Sequence, residues 1–117
     1  MKQELLEKNR KYIVAKSEEG EILGFAGILI NIDCAEIMNI VVKKSSRKKG
    51  IGQQLLNRLI ELVKESERTI IYLEVNSNNE PAIQLYQKNG FTEIGRRKKY
   101  YHQTDDAILL QKNILKI

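Results

Sequence analysis

Between Ala35 and Val75 the hydrophobic period of this sequence changes twice, and that change limits the fold more than any other feature. Ala35 to Val42 is apolar apart from Glu36 and Asn39, the pattern of a strand covered on both faces, and it should lie centrally in a sheet. From Gly50 onward, Ile51, Leu55, Leu56, Leu59, Ile60, Leu62 and Val63 recur at three- and four-residue intervals. They form one broad face of a helix, the longest expected in the chain. Ile70 to Val75 is then a short apolar strand containing one charge, Glu74. Strand, helix and strand in that order make a right-handed parallel crossover.

The flanking segments extend this unit into an α/β domain. Lys11 to Ser17 and Ile22 to Asn31 surround Glu18-Glu19-Gly20-Glu21, a polar turn with a glycine, and read as a β-hairpin; residues 1 to 9 read as a short helix. Asn78 or Asn79 can cap a second helix that carries Pro81 in its first turn and ends at Asn89-Gly90. Phe91 to Tyr101 and Ala107 to Ile114 read as two last strands around a polar turn. With 117 residues, 42% of them hydrophobic, and no linker or repeat, the chain closes one core and forms a single domain over 1–117.

Several classes of function drop out. No apolar run approaches the roughly 18 residues of a membrane span. The start Met1-Lys2-Gln3-Glu4-Leu5-Leu6-Glu7 is not a signal-peptide core, so a cytoplasmic location is expected. Cys34 is the single cysteine and His102 the single histidine, which leaves no disulfide and no set of metal ligands. Cys34 reads as structural and His102 as a surface residue of the last turn. The net charge of +5 is concentrated in Lys43, Lys44, Arg47, Lys48 and Lys49, and in Arg96, Arg97, Lys98 and Lys99, assigned to two loops. Charge runs of this kind are by themselves compatible with a solvated surface.

Arg47-Lys48-Lys49-Gly50-Ile51-Gly52 falls between the central strand and the first turn of the long helix. A helix start presents unpaired N–H groups and about half a positive charge, and glycine lets a phosphate approach the backbone. The segment therefore reads as an anion site. It lacks the Lys-Ser or Lys-Thr of a P-loop and the third glycine of a dinucleotide fingerprint, which disfavours ATP and NAD. On residue type alone, Glu74 can be a salt-bridged or strand-end carboxylate and Tyr86 a core aromatic. Tyr100 and Tyr101 can be packing at a strand end.

At this point the chain resembles the GNAT superfamily of acetyltransferases. The family pattern [RQ]-x-x-G-x-[GA] is matched by Arg47, Gly50 and Gly52, followed by Leu55-Leu56. The likeness continues in order through Tyr72-Leu73-Glu74-Val75, Asn79, Ala82-Ile83, Leu85-Tyr86, Gly90-Phe91, Tyr100-Tyr101 and Asp106-Ala107. Within the family it is most similar to the N-terminal acetyltransferase branch of the bacterial ribosomal-protein-alanine, RimI-like, type.

The resemblance implies a mixed, mostly antiparallel twisted sheet flanked by helices, and acetyl-CoA as the acetyl donor. It implies that the backbone of Ile40, Val41 and Val42 pairs with the pantetheine arm where neighbouring strands splay. Arg47, Lys48, Lys49, Gly50, Ile51 and Gly52 would wrap the pyrophosphate, and Asn79 would touch the cofactor. Glu74 would be the general base, Tyr86 the general acid, and Tyr100 and Tyr101 would hold the acceptor peptide. Transfer would be direct, within a ternary complex, to a primary amine, most naturally the α-amino group of a ribosomal protein. Members of the family usually open with a strand and one or two helices that this sequence lacks, so the fold is expected to be N-terminally shortened. An exposed hairpin edge then favours a homodimer. Direct nucleic-acid binding is disfavoured. Two other readings stay open: a GNAT enzyme of a small amine, and a non-catalytic coenzyme A-binding or ribosome-associated module.

Overall fold

A computed structural model of the chain describes residues 9–101 and 104–115. The helix expected at the amino terminus and His102 lie outside the described residues. Six strands form one sheet: β1 (Arg10–Lys16), β2 (Ile22–Ile30), β3 (Ala35–Val42), β4 (Ile70–Asn76), β5 (Thr92–Tyr101) and β6 (Asp105–Asn113). Their spatial order is β1-β2-β3-β4-β6-β5. Every neighbouring pair is antiparallel except β3 and β4, which run parallel. Two helices, α1 (Ile51–Glu65) and α2 (Glu80–Lys88), follow β3 and β4 respectively. The domain is a mixed α/β fold, and no helix among the described residues is long and apolar enough to cross a membrane.

The helices form where the sequence places them. Leu55, Leu56, Leu59 and Val63 bury the inner stripe of α1, each contributing roughly 1.5–3 kcal/mol relative to exposure. At its end the Ser66 N–H and hydroxyl both donate to the Leu62 carbonyl, at 3.1 and 2.9 Å. Arg68 then ties the chain back, its Nε donating to the Asn31 carbonyl at 2.7 Å. Asn79 caps α2 by accepting from the Ala82 N–H at 3.4 Å. Gly90, at φ +91°, turns the chain so that Phe91 packs edge-on against Tyr86 with ring centres 5.5 Å apart.

The sheet alternates cleanly in β4. Ile71, Leu73 and Val75 are buried in the core with α1, Ile83 and Tyr86. Because successive side chains point to opposite faces, Tyr72, Glu74 and Asn76 occupy the other face. The central strand β3 spans the residues expected of it, but only one of its faces is covered, and Val41 is 43% exposed on the other. The second basic run, expected in a loop, lies inside β5 instead.

The parallel seam is short. β3 pairs with β2 along its whole length, and β4 does so with β6, yet β3 and β4 share only Ala35 with Ile71 and Glu36 with Tyr72. Beyond Glu36 the two strands part. A bulge helps to separate them: Gly27 faces Asn39 and Ile28 faces Ile37, which leaves Met38 as an extra residue that bends β3. A wedge opens between residues 37–42 and 73–76, and no strand among the described residues pairs with β3 along it.

Gly24 lets α1 lie close over this half of the sheet. A Cβ there would sit 2.6 Å from the Val41 carbonyl oxygen and 3.3 Å from Val42 Cα, both backbone. Gly24→Ala should therefore lower stability by about 1–3 kcal/mol, read as a lower urea midpoint at unchanged slope. Gly27→Ala meets mainly the movable Tyr12 ring and should cost less; equal losses at the two glycines would refute the distinction.

Candidate active site

The wedge has a cationic mouth. After β3 a short 3-10 turn over Lys44–Ser46 leads into Arg47, whose Nε donates to the Val42 carbonyl at 3.3 Å. Lys48 and Gly50 both adopt left-handed backbone, at φ +63° and +81°, a geometry that aims successive N–H groups into one concavity. The first helical N–H to find a backbone carbonyl is that of Gln54, bonded to Gly50 at 3.0 Å. Among the described residues, the N–H groups of residues 48–53 donate to no backbone carbonyl. The two glycines are not equivalent. Gly50 is demanded by its φ, and open space surrounds the place of its missing Cβ. A Cβ on Gly52 would make ordinary contacts with Leu85 at 3.6 Å and Val42 at 3.8 Å.

Those contacts show what converges here. The start of α1, the end of β3 with Ile40, Val41 and Val42, and α2 through Leu85 meet at one end of the wedge. Arg47, Lys48 and Lys49 of the first basic run lie in the segment that leads into this helix start, while Lys43 is ion-paired with Glu21. An anion with a polar arm fits this place: the N–H groups and cations can take phosphate, and the unpaired edge of β3 can take amides. Asn79 stands where β4 passes into α2, its N–H bonded to the Asn76 carbonyl at 2.9 Å and its side-chain oxygen engaged as the cap.

Glu74 and Tyr86 lie on opposite faces of β4. Glu74 points to the open face, paired in register with Leu109, and is held by Arg97 Nε at 3.0 Å from its Oε2. Arg97 reaches from β5, two strands away, and its guanidinium also stacks 5.4 Å from the centre of the Tyr100 ring. Tyr86 is buried, and burial pushes its phenol up to about 12. Both plain readings are thus realised: Glu74 is ion-paired and Tyr86 belongs to the core. No hydrogen bond joins them, so they can act on one group only from either side of the wedge.

Tyr100 is 52% exposed on the same face as this pair; the side chain of Tyr101 lies outside the described part. Nearby, Asn76 Nδ2 donates to Asp105 at 3.1 Å, and Arg96 bridges Glu93 at 2.8 Å and Asp106 at 3.6 Å. Sequence reasoning missed Arg97 as a neighbour of Glu74. It was one cation of a run, and only the register across β6, where Ala107 faces Arg97 and Leu109 faces Glu74, brings the two side chains within reach.

Comparison with known proteins agrees with this geometry. Residues 1–91 match the acetyltransferase (GNAT) family model. The chain is 36% identical over 108 residues, 92% of its own length and 72% of the relative's, to a protein of Bacillus subtilis (strain 168) provisionally named a [ribosomal protein bS18]-alanine N-acetyltransferase. To the Escherichia coli (strain K12) enzyme of that name it is 34% identical over 97 residues, 80% of the chain and 66% of the enzyme. The crystal structure of the E. coli ribosomal-protein-S18-alanine N-acetyltransferase superposes with a TM-score of 0.86 at 28% identity, covering 94% of this chain and 72% of that one. A GNAT family acetyltransferase from Elizabethkingia anophelis with acetyl-CoA bound superposes at 0.81 with 26% identity, over 96% and 80%. The chain spans about two thirds to three quarters of the length of the two bS18-alanine relatives. It belongs to the acetyltransferase (GNAT) family, whose chemistry is acetyl transfer from acetyl-CoA to an amine.

The buried phenol gives a stability test. The folded state holds the Tyr86 proton more tightly than the unfolded chain, whose tyrosines ionise near 10. The contribution of the protonated phenol is complete below pH 10 and is lost as pH rises from about 10 to about 12, a loss of about 2–3 kcal/mol. The urea midpoint of the native protein should fall more steeply across that window than that of Tyr86→Phe. Parallel slopes would refute the assignment.

Proposed function

We propose that this chain transfers the acetyl group of acetyl-CoA directly to the α-amino group of a protein N-terminus, with a ribosomal protein as acceptor and the cytoplasm as setting. The observation that carries the reading is the wedge itself. It runs from an anion-binding helix start, past an unpaired strand edge, to a carboxylate on one face and a buried phenol on the other.

Residues 48–53 hold the pyrophosphate through their N–H groups, with Arg47, Lys48 and Lys49 adding charge; Ile40, Val41 and Val42 present the strand edge to the pantetheine amides, and Asn79 lines the far wall. Acetyl-CoA, when bound, supplies an acetyl group activated as a thioester. The acceptor comes from the open face, where Glu74 takes the amine proton, directly or through a water, as the N–C bond forms and the C–S bond breaks. An α-amine has a pKa of about 7.7–8.0, so removing its proton near neutrality is a modest task. From the core side, Tyr86 donates a hydrogen bond to the departing sulfur, which leaves as a thiolate and takes its proton from solvent. With its phenol near 12 against about 8.5 for a thiol, Tyr86 steadies the thiolate rather than surrendering its proton outright. Tyr100 borders the acceptor.

A small polycationic acceptor fits less well. Glu74 and Asp105, which point to the open face, each already meet a donor, Arg97 and Asn76, while Asp106 points to the other face and meets Arg96. The same pairings divert Arg96 and Arg97 from forming a stripe suited to nucleic acid.

The test is coenzyme A release from acetyl-CoA with an alanine-starting peptide. Glu74→Gln should lower kcat about 10²–10⁴-fold while acetyl-CoA still binds, and Lys48→Glu with Lys49→Glu should weaken acetyl-CoA binding. Turnover of spermidine but not of peptide would establish the small-amine reading. Tight acetyl-CoA binding with no turnover on any amine would leave a binding module.

A further inference from the structure

We infer that Arg97 sets the acceptor selectivity of this site, making it favour α-amines over lysine ε-amines by neutralising Glu74 before the acceptor arrives. The inference rests on Glu74 being the base, as proposed above.

Three observations converge on Arg97. Its Nε lies 3.0 Å from Glu74 Oε2, so the carboxylate already holds a permanent cation when the acceptor arrives. The strand between them offers little obstruction, because the register partner of Arg97 on β6 is Ala107, a single methyl group on the way to β4. The guanidinium is steadied by the Tyr100 ring at 5.4 Å, so the pair is held by a second contact on the open face. A guanidinium does not lose its proton under protein conditions. It cannot take part in the proton transfer, and its charge remains.

The consequence is electrostatic. A lone carboxylate on the open face would attract any ammonium, and a lysine side chain would be drawn there in its charged form, in position for Glu74 to take its proton. With Arg97 in place the carboxylate is already balanced, and the added positive charge disfavours a second cation within ~4–6 Å. The site then senses the neutral fraction of each amine. At pH 7.4 that fraction is roughly 30% for an α-amine of pKa about 7.8 and roughly 0.1% for a lysine of pKa about 10.4. The acceptor class that suits the site is a free N-terminus, whatever cations follow it along the peptide.

Two peptides test this: one with a free alanine N-terminus and no lysine, and one with a blocked N-terminus and a single internal lysine. The ratio of kcat/KM for the two is measured with the native chain and with Arg97→Met, Arg97→Lys and Glu74→Gln, with acetyl-CoA binding by calorimetry as the control for folding. Arg97→Met should lower the ratio about tenfold, the effect of one unit of charge-induced shift, chiefly by lowering KM for the lysine peptide. Arg97→Lys, which keeps the charge, should stay near the native ratio. An unchanged ratio in Arg97→Met, or an equal loss on both peptides in both Arg97 variants, would overturn the inference, as would a native chain with no preference. The base reading fails separately: it falls if Glu74→Gln acetylates the alanine peptide as well as the native chain does. A dead Glu74→Gln beside an unchanged Arg97→Met ratio removes the selectivity role alone.

Discussion

Everything distinctive in this molecule depends on a parallel seam of two residue pairs, Ala35 with Ile71 and Glu36 with Tyr72. A complete seam would join β3 and β4 into an unbroken central sheet and leave no room between them. Stopping it after two pairs leaves backbone groups without ladder partners, and a buried group left so costs about 1–3 kcal/mol. Two devices make the gap tolerable. The extra residue Met38 bends β3 away where it leaves its partner, and α1 spans the divided half-sheet with Leu55, Leu56, Leu59 and Val63 packed on one side of it. The core is continuous beneath a sheet that is not.

The electrostatics of the wedge are arranged by place rather than by net charge. At one end, left-handed backbone at Lys48 and Gly50 gathers N–H groups beside cations that make no ion pairs among the described residues. Across β4, β6 and β5 the charges pair off: Glu74 with Arg97 on the open face, and Asp106 and Glu93 with Arg96 on the other. A chain of net charge +5 thus has one strongly positive locus and one nearly neutral one. That is the division expected if a polyanionic donor enters at the first and a neutral amine at the second.

Much of this was legible in the sequence, because it rests on local rules. The period change at Gly50 marks the start of α1, Asn79 with Pro81 marks the start of α2, and the single charge in Ile70 to Val75 singles out Glu74. The likeness of Arg47, Gly50 and Gly52 to the family pattern located the anion cradle. Whatever depends on register stayed hidden. The apolar run of β3 reads as two-sided burial, yet Val41 faces the open side, since a run shows that a strand is apolar and not what covers it. The run at Arg96 to Lys99 reads as a solvated loop. Inside β5 it becomes an alternating strand whose Arg97 crosses β6 to reach Glu74.

The placement of Glu74 and Tyr86 on opposite faces of β4 has a mechanistic consequence that neither residue carries alone. If both act on one reacting group, that group must lie in the plane of the sheet, inside the gap, with the amine and the departing sulfur on opposite sides. Approach of the amine from the open face and release of the sulfur toward the core side would then follow from the strand alternation that puts Leu73 and Val75 inward and Glu74 outward. The buried phenol fits the core side, where low polarity strengthens its hydrogen bond to a developing thiolate. The ion-paired carboxylate fits the open side, where acceptor and water arrive. In this chain the short parallel seam keeps the carboxylate and the phenol apart by one thickness of backbone, and that separation follows from the same two residue pairs that define the fold.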